Sequence, residues 1–203
     1  MSTSSAAGTV AFESGRRGEV GRADATSTGK VGMWVFLATD AMGFAGLLTA
    51  YAVLRVRADQ WPDPQDRLVV WQAAVMTAVL VTSSFTMTLA ARAARQGRDG
   101  ARTLWHVLTL VLGVIFLSGQ LLEYAQLTGG PHAMGLSADL FASTFYAVTG
   151  YHALHVLAGL LILLGVLVRR SSARSLEVAA LFWHFVDLAW IPIFTFVYLL
   201  PTS

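Results

Sequence analysis

Residues 138–168 read ADLFASTFYAVTGYHALHVLAGLLILLGVLV, a run in which Asp139 is the only Asp, Glu, Lys or Arg. A helix needs about 20 apolar residues to cross the hydrocarbon core of a bilayer. This stretch is longer than one crossing requires. It therefore predicts a membrane-spanning helix that is tilted or that extends past the interface.

The chain contains four more apolar segments that are long enough to cross a bilayer. They cover residues 31–54, 68–91, 103–127 and 176–200. Polar connectors such as Trp61-Pro62-Asp63-Pro64 and Thr128-Gly129-Gly130-Pro131 separate them and cannot continue a helix. Because lipid offers no partner to unpaired backbone groups, we predict an all-α integral membrane domain of five transmembrane helices over residues 30–203.

The composition agrees with a membrane protein and excludes several other classes. Hydrophobic residues make up 55% of the 203 residues and charged residues only 13%, about half of the charged share in soluble domains. The chain has no cysteine, which excludes disulfide scaffolds and thiolate-bound metal centres. No phosphate-binding loop or nucleophile motif is present. The basic residues lie in short turns, so no nucleic-acid partner is expected.

The distribution of basic residues predicts the orientation. The connector between spans one and two has only Arg55, Arg57 and Arg67. The other basic residues lie before span one, between spans two and three, and between spans four and five: Arg16, Arg17, Arg22, Lys30, Arg92, Arg95, Arg98, Arg102, Arg169, Arg170 and Arg174. The positive-inside rule therefore places the N-terminus in the cytoplasm and the C-terminus outside, in the periplasm.

Residues 1–29 are rich in Ser, Gly, Ala and Thr and predict a flexible cytoplasmic tail. An alternative interpretation is a twin-arginine signal peptide, with Arg16-Arg17 and a cleavage site at Ala50-Tyr51-Ala52. The apolar run is too long for a signal peptide and contains Asp40, which disfavours that interpretation.

Five ionisable side chains lie near the middle of the predicted spans, where a charged group is costly. Asp40 is in span one, His152 and His155 share one face of span four, and His184 and Asp187 share one face of span five. We predict that these five residues form an intramembrane polar network that satisfies their hydrogen bonds inside the bundle.

Two further acids lie at helix ends, Glu123 and Glu177, and are expected to tie those ends to neighbouring helices. Other interpretations remain open for the histidines. They could bind iron or zinc, or His184 could ligate a haem together with a histidine of span four. Asp40 could carry protons in a small transporter. Histidine spacing alone favours hydrogen-bonded histidines over a metal site.

Four segments together resemble subunit III of the heme-copper oxidases in its short, five-helix form. The first is Lys30–Leu37 followed by Asp40, and the second runs from Gly113 to Tyr124 with Gln120 and Glu123. The third, FYAVTGYHALHV over residues 145–156, and the fourth, EVAALFWHFVDLAW over residues 177–190, are the more specific. They follow the family order and cover most of residues 30–200.

The resemblance implies a non-catalytic subunit of cytochrome c oxidase, an enzyme complex that reduces dioxygen to water and pumps protons. It implies a multi-pass protein of the bacterial cell membrane that supports assembly, lipid binding and the dioxygen and proton paths. The expected partners are oxidase subunits I and II and membrane lipids, including phospholipid, with a larger respiratory supercomplex as a further assembly. Haem and copper are expected in the catalytic partner, and none in this chain.

The chain also departs from the family. The family usually has Glu where this chain has Asp40, which keeps the charge but shortens the reach by one methylene. Related subunits of nitric oxide reductase and of quinol oxidases are alternatives within the same family. A stand-alone haem or metal membrane protein is the alternative from another class.

Overall fold

The computed structural model describes the backbone of residues 4–58, 61–62, 68–129 and 139–200, with side chains from residue 29 onward. Parts of both proline-containing connectors lie outside these ranges. The elements within them are α1 (Ser4–Arg57), α2 (Val70–Arg95), α3 (Asp99–Gly129), α4 (Leu140–Val168), α5 (Ala173–Phe194) and a π-helical turn (Thr195–Leu199). The described residues contain no β-strand, and the predicted all-helical class is confirmed.

Each helix carries a segment that is long and apolar enough to cross a membrane. The spans are Gly29–Arg57, Val70–Arg95, Asp99–Gly129, Leu140–Val168 and Ala173–Leu199. The five predicted crossings are confirmed, and several helices extend beyond the apolar runs into their charged ends. The orientation remains a prediction. So does the flexible tail over residues 1–29, almost all of whose side chains lie outside the description.

Helices α2 and α3 form an antiparallel pair closed by a short turn. Gly97 in this turn has a φ of 68°, a left-handed conformation that is common for glycine after a helix. Helix α5 packs against α1, α2 and α4, and α3 contacts α2 and α4. The α5 span is the most buried of the five and the α1 span the least. The core therefore surrounds α5, and α1 lies at the edge of the bundle.

Polar side chains of α2 bind aromatic side chains of α5 along their interface. The indole of Trp183 donates to Ser83 Oγ over 3.1 Å, and that of Trp190 donates to Thr77 Oγ1 over 2.9 Å. In a membrane, neighbouring helices gain no hydrophobic driving force from lipid, so packing and such hydrogen bonds hold them together. This interface fixes the rotation of α5 and hence the directions of its polar residues.

Candidate functional site

A hydrogen-bonded cluster connects α1 to α4 through Asp40. The hydroxyl of Tyr151 donates to Asp40 Oδ1 over 3.1 Å, and His155 Nε2 lies 3.1 Å from the same oxygen. His155 Nδ1 lies 2.8 Å from the backbone carbonyl oxygen of Tyr151. Asp40 and His155 are both mostly buried. The ring of Phe44 packs edge-on against Tyr151 and His155, with centroids 4.8 and 5.1 Å away.

The hydrogen bonds determine how many protons this cluster holds. A carbonyl oxygen can only accept, so Nδ1 of His155 carries a proton. The contact between Nε2 and Asp40 Oδ1 then requires one more proton between those two atoms. The pair is either an imidazolium beside a carboxylate or a neutral imidazole beside a carboxylic acid. Both arrangements have zero net charge, which makes the pair compatible with a membrane interior.

The other predicted residues of the network have different surroundings. His184 Nδ1 lies 2.6 Å from Ser84 Oγ of α2. His152 is fully buried beside Phe116 and Trp190, with ring centroids 5.8 and 4.9 Å away. Within the described ranges, the two ring nitrogens of His152 and both carboxylate oxygens of Asp187 have no hydrogen-bond partner. Among the five predicted residues, a hydrogen bond directly joins Asp40 and His155, and the wider network remains a prediction.

Glu123 belongs to a second buried cluster, which joins α3 to the π-helical turn. Gln120 Nε2 and the Tyr198 hydroxyl donate to Glu123 Oε2 over 3.0 and 2.8 Å. The other oxygen, Oε1, has no partner among the described residues. Glu123 and Gln72 line a cavity of about 10 Å³.

Glu177 lies at the opposite end of the bundle, in the first turns of α5. Its carboxylate lies 2.7 Å from Lys30 Nζ of α1 and 3.7 Å from Arg95 Nη1 of α2. Three helices therefore meet at one acid. The two helix-end acids each contact a different element, as an anchoring role requires.

Tyr151, Tyr198 and Ser84 are the partners that sequence reasoning missed. The only signal for Tyr151 is its position one helical turn before His155, which places both on the same face. Tyr198 and Ser84 lie in different elements from their hydrogen-bond partners, Glu123 and His184. Residue spacing along one helix therefore does not identify them. Among the described residues, no group of three or more His, Asp or Glu side chains could hold a metal ion.

Comparison with known proteins identifies relatives over most of the chain. The family model described as cytochrome c oxidase subunit III matches residues 9–202. Cytochrome c oxidase subunit 3 of Synechocystis sp. is 40% identical over 178 residues, covering 83% of this chain and 74% of that protein. The probable cytochrome c oxidase subunit 3 of Mycobacterium tuberculosis is 37% identical over 176 residues, covering 83% and 86%. That of Thermostichus vulcanus, named cytochrome c oxidase subunit 3, is 34% identical over 178 residues, covering 84% and 86%.

Proposed function

Because this chain belongs to the cytochrome c oxidase subunit III family, we propose that it stabilises the catalytic subunit of a heme-copper oxidase and contributes no redox centre. Electron transfer and dioxygen reduction take place in the partner, which holds the haem and copper. This chain supports that chemistry through assembly, bound lipid and the paths of dioxygen and protons. The single observation that carries the proposal is the family match over residues 9–202.

The geometry of the polar clusters supports a structural role for this chain. Asp40 Oδ1 is engaged by two side chains of α4, and Glu123 Oε2 by two donors within the bundle. Side chains that are engaged in this way hold helices in register. The apolar face of α1 supports a contact with another subunit or with lipid, because Met42 is 75% and Val56 85% exposed.

The partners proposed for this chain are oxidase subunits I and II, within the plasma membrane of a bacterium. The bacterial relatives support that location. Membrane lipid, including phospholipid, is a further partner, and a larger respiratory supercomplex is a further assembly. Cytochrome c is the proposed electron donor of the complex.

Gentle extraction of the membrane with an affinity tag on this chain tests the proposal. We expect co-purification of a haem-bearing, copper-containing partner whose oxidase activity uses cytochrome c as donor. The control is the same tag on the catalytic partner, which should retrieve this chain in equal amount. Purification of this chain alone with its own stoichiometric haem or metal would contradict the proposal. Activity with quinol but not with cytochrome c would assign the chain to the quinol-oxidising branch.

A further inference from the structure

A small cavity lies between α2, α3 and the π-helical turn, at the end of the bundle opposite Glu177. Gln72 of α2, Glu123 of α3 and Tyr198 of the turn are among the residues that line it. Its volume is about 10 Å³, roughly that of one sphere the size of a water molecule. A cavity this small holds at most one water, and only where polar groups surround it.

Glu123 supplies a buried polar atom that has capacity for a further hydrogen bond. The residue is 8% exposed. Its Oε2 accepts from Gln120 Nε2 and from the Tyr198 hydroxyl, whereas its Oε1 has no partner among the described residues. Buried polar atoms are almost always hydrogen-bonded, either to the protein or to ordered water. Oε1 therefore calls for a partner in addition to these side chains.

The other polar groups around the cavity limit what that partner can be. The two donors at Oε2 are engaged there, and the indole of Trp190, which also lines the cavity, donates to Thr77 Oγ1. Gln72 differs, because its carboxamide offers two N–H groups and a carbonyl oxygen. Within the described residues, neither carboxylate oxygen of Glu123 bonds directly to Gln72. A single water between the two side chains can bond to both.

A water suits Glu123 in either of its protonation states. A carboxylate only accepts, so the water then donates to Oε1. Because Oε2 already accepts two hydrogen bonds, a neutral acid carries its proton on Oε1 and donates to the water. The Gln72 carboxamide can likewise donate or accept. The site therefore does not depend on the charge of Glu123.

The rest of the wall is apolar and closely packed. Ala73 and Met76 of α2 face Gly119 of α3 across the cavity lining. A Cβ added to Gly119 would lie 2.5 Å from Met76 Sδ, so the glycine allows the thioether to pack directly against α3. This side of the cavity offers no room for a ligand larger than water and no group that would bind an ion.

We propose that the cavity binds one structural water, which bridges Glu123 Oε1 to the side-chain amide of Gln72. The water completes the hydrogen bonding of Glu123 and connects α2 to the contact between α3 and the π-helical turn. A water-mediated hydrogen bond is nearly as favourable in enthalpy as a direct one. Every group of the site belongs to this chain, so the site does not depend on the electron donor or on the identity of the partner subunits.

A cryo-electron microscopy map of the intact membrane complex, at a resolution that shows ordered waters, tests the proposal. We expect one peak within roughly 2.5–3.2 Å of both Glu123 Oε1 and an atom of the Gln72 carboxamide. The absence of such a peak would overturn the proposal. So would a map in which Gln72 bonds directly to Oε1.

The variant Gln72→Leu keeps a side chain of similar size but removes the polar partner of the water. We expect the peak to disappear and the midpoint for thermal release of the subunit to fall by roughly 2–4 °C. Gln126→Leu is the matched control, since Gln126 is an exposed glutamine of α3 that does not line the cavity. It should change neither the peak nor the midpoint.

Glu123→Gln provides a second variant that preserves the shape of the site. Its carboxamide can still bond to a water, so the peak should remain. Equal midpoints for Gln72→Leu and Gln126→Leu would contradict the bridge, as would a peak that persists unchanged in Gln72→Leu.

Discussion

At the scale of single residues, the Asp40–His155 pair joins α1 to α4. Its two side chains meet at 3.1 Å inside the bundle, and the Tyr151 hydroxyl binds the same carboxylate oxygen. Because the carbonyl of Tyr151 fixes the proton on Nδ1, the pair is neutral as a unit. Removing one member leaves the other without its partner, which costs more than the intact pair contributes.

The first prediction concerns Asp40→Ala. It leaves His155 Nε2 and the Tyr151 hydroxyl without their hydrogen-bond partner, so we expect a loss of about 1–3 kcal/mol of stability. The complex should release this subunit more readily or lose activity faster during turnover. The measurements are thermal release of the subunit in detergent and the time course of oxidase activity. Asp40→Asn is the matched control, since its amide group can donate to the unprotonated Nε2 of a neutral His155 or accept from the Tyr151 hydroxyl and should cost less.

The haem spectrum of Asp40→Ala distinguishes a structural role of Asp40 from a cofactor site in this region. We expect the spectrum of the complex to stay unchanged, because Asp40 binds side chains of its own chain. Loss of a haem band in Asp40→Ala would indicate that this region holds a cofactor.

The second prediction concerns the ion pair between Lys30 and Glu177 at the end of the bundle, which should contribute less to stability than Asp40 does. Lys30 and Glu177 lie 2.7 Å apart, but the Lys30 side chain is 43% exposed. Exposed ion pairs contribute about 0–1 kcal/mol, so Lys30→Met should change stability by less than Asp40→Ala does. Thermal release at low and high salt measures this, and the small effect should shrink further at high salt. An effect equal to that of Asp40→Ala would mean that Lys30 is far more deeply buried in the complex.

At the scale of helices, apolar run length predicted which segments become helices, but not where they end. The third span was expected from residue 103, yet α3 begins at Asp99. An acidic residue is favourable in the first turn of a helix because it complements the helix dipole, and hydropathy does not register that effect. Likewise α2 continues to Arg95, where basic residues suit the last turn. Charged ends therefore extend the helices beyond the apolar runs.

The third prediction concerns the contact of α4 with α5. A Cβ added to Gly159 would lie 2.9 Å from an atom of the Trp183 ring, which is itself fully buried. Gly159→Ala should therefore overpack this contact and cost about 1–3 kcal/mol, read as a lower melting temperature of the subunit in the complex. Gly165→Ala in the same helix is the matched control. A Cβ there meets no described atom within 4 Å, so alanine should be neutral or slightly stabilising.

If Gly159→Ala and Gly165→Ala melt alike, α4 and α5 do not approach as closely as the structure places them. Restoration of the melting temperature by adding Trp183→Phe, a smaller ring, would support the contact. Trp183→Phe removes the hydrogen bond to Ser83 whether or not Gly159 is substituted. The double variant is therefore compared with Trp183→Phe alone.

At the scale of the whole molecule, similar depth in the membrane does not by itself determine which polar residues contact each other. Residues three apart on a helix differ by about 60° of rotation, since each residue turns the helix by about 100°. His155 faces Asp40 of α1, whereas His152 lies beside the rings of Phe116 and Trp190. His184 instead binds Ser84 of α2. The depth of each residue follows from the sequence, but its direction depends on how the helices pack.

The last prediction tests the orientation of the whole bundle, which rests on the distribution of basic residues alone. The chain has no cysteine, so a single introduced cysteine reports its own location. Gln96, in the turn before α3, and Thr128, near the end of α3, are both exposed and lie at opposite ends of the bundle. With the N-terminus inside, a membrane-impermeant maleimide should label Thr128→Cys in intact cells and Gln96→Cys only in inverted membrane vesicles. Detergent-solubilised membranes, where both should react, provide the control for reactivity. The reverse labelling pattern would place the N-terminus outside and contradict the predicted orientation.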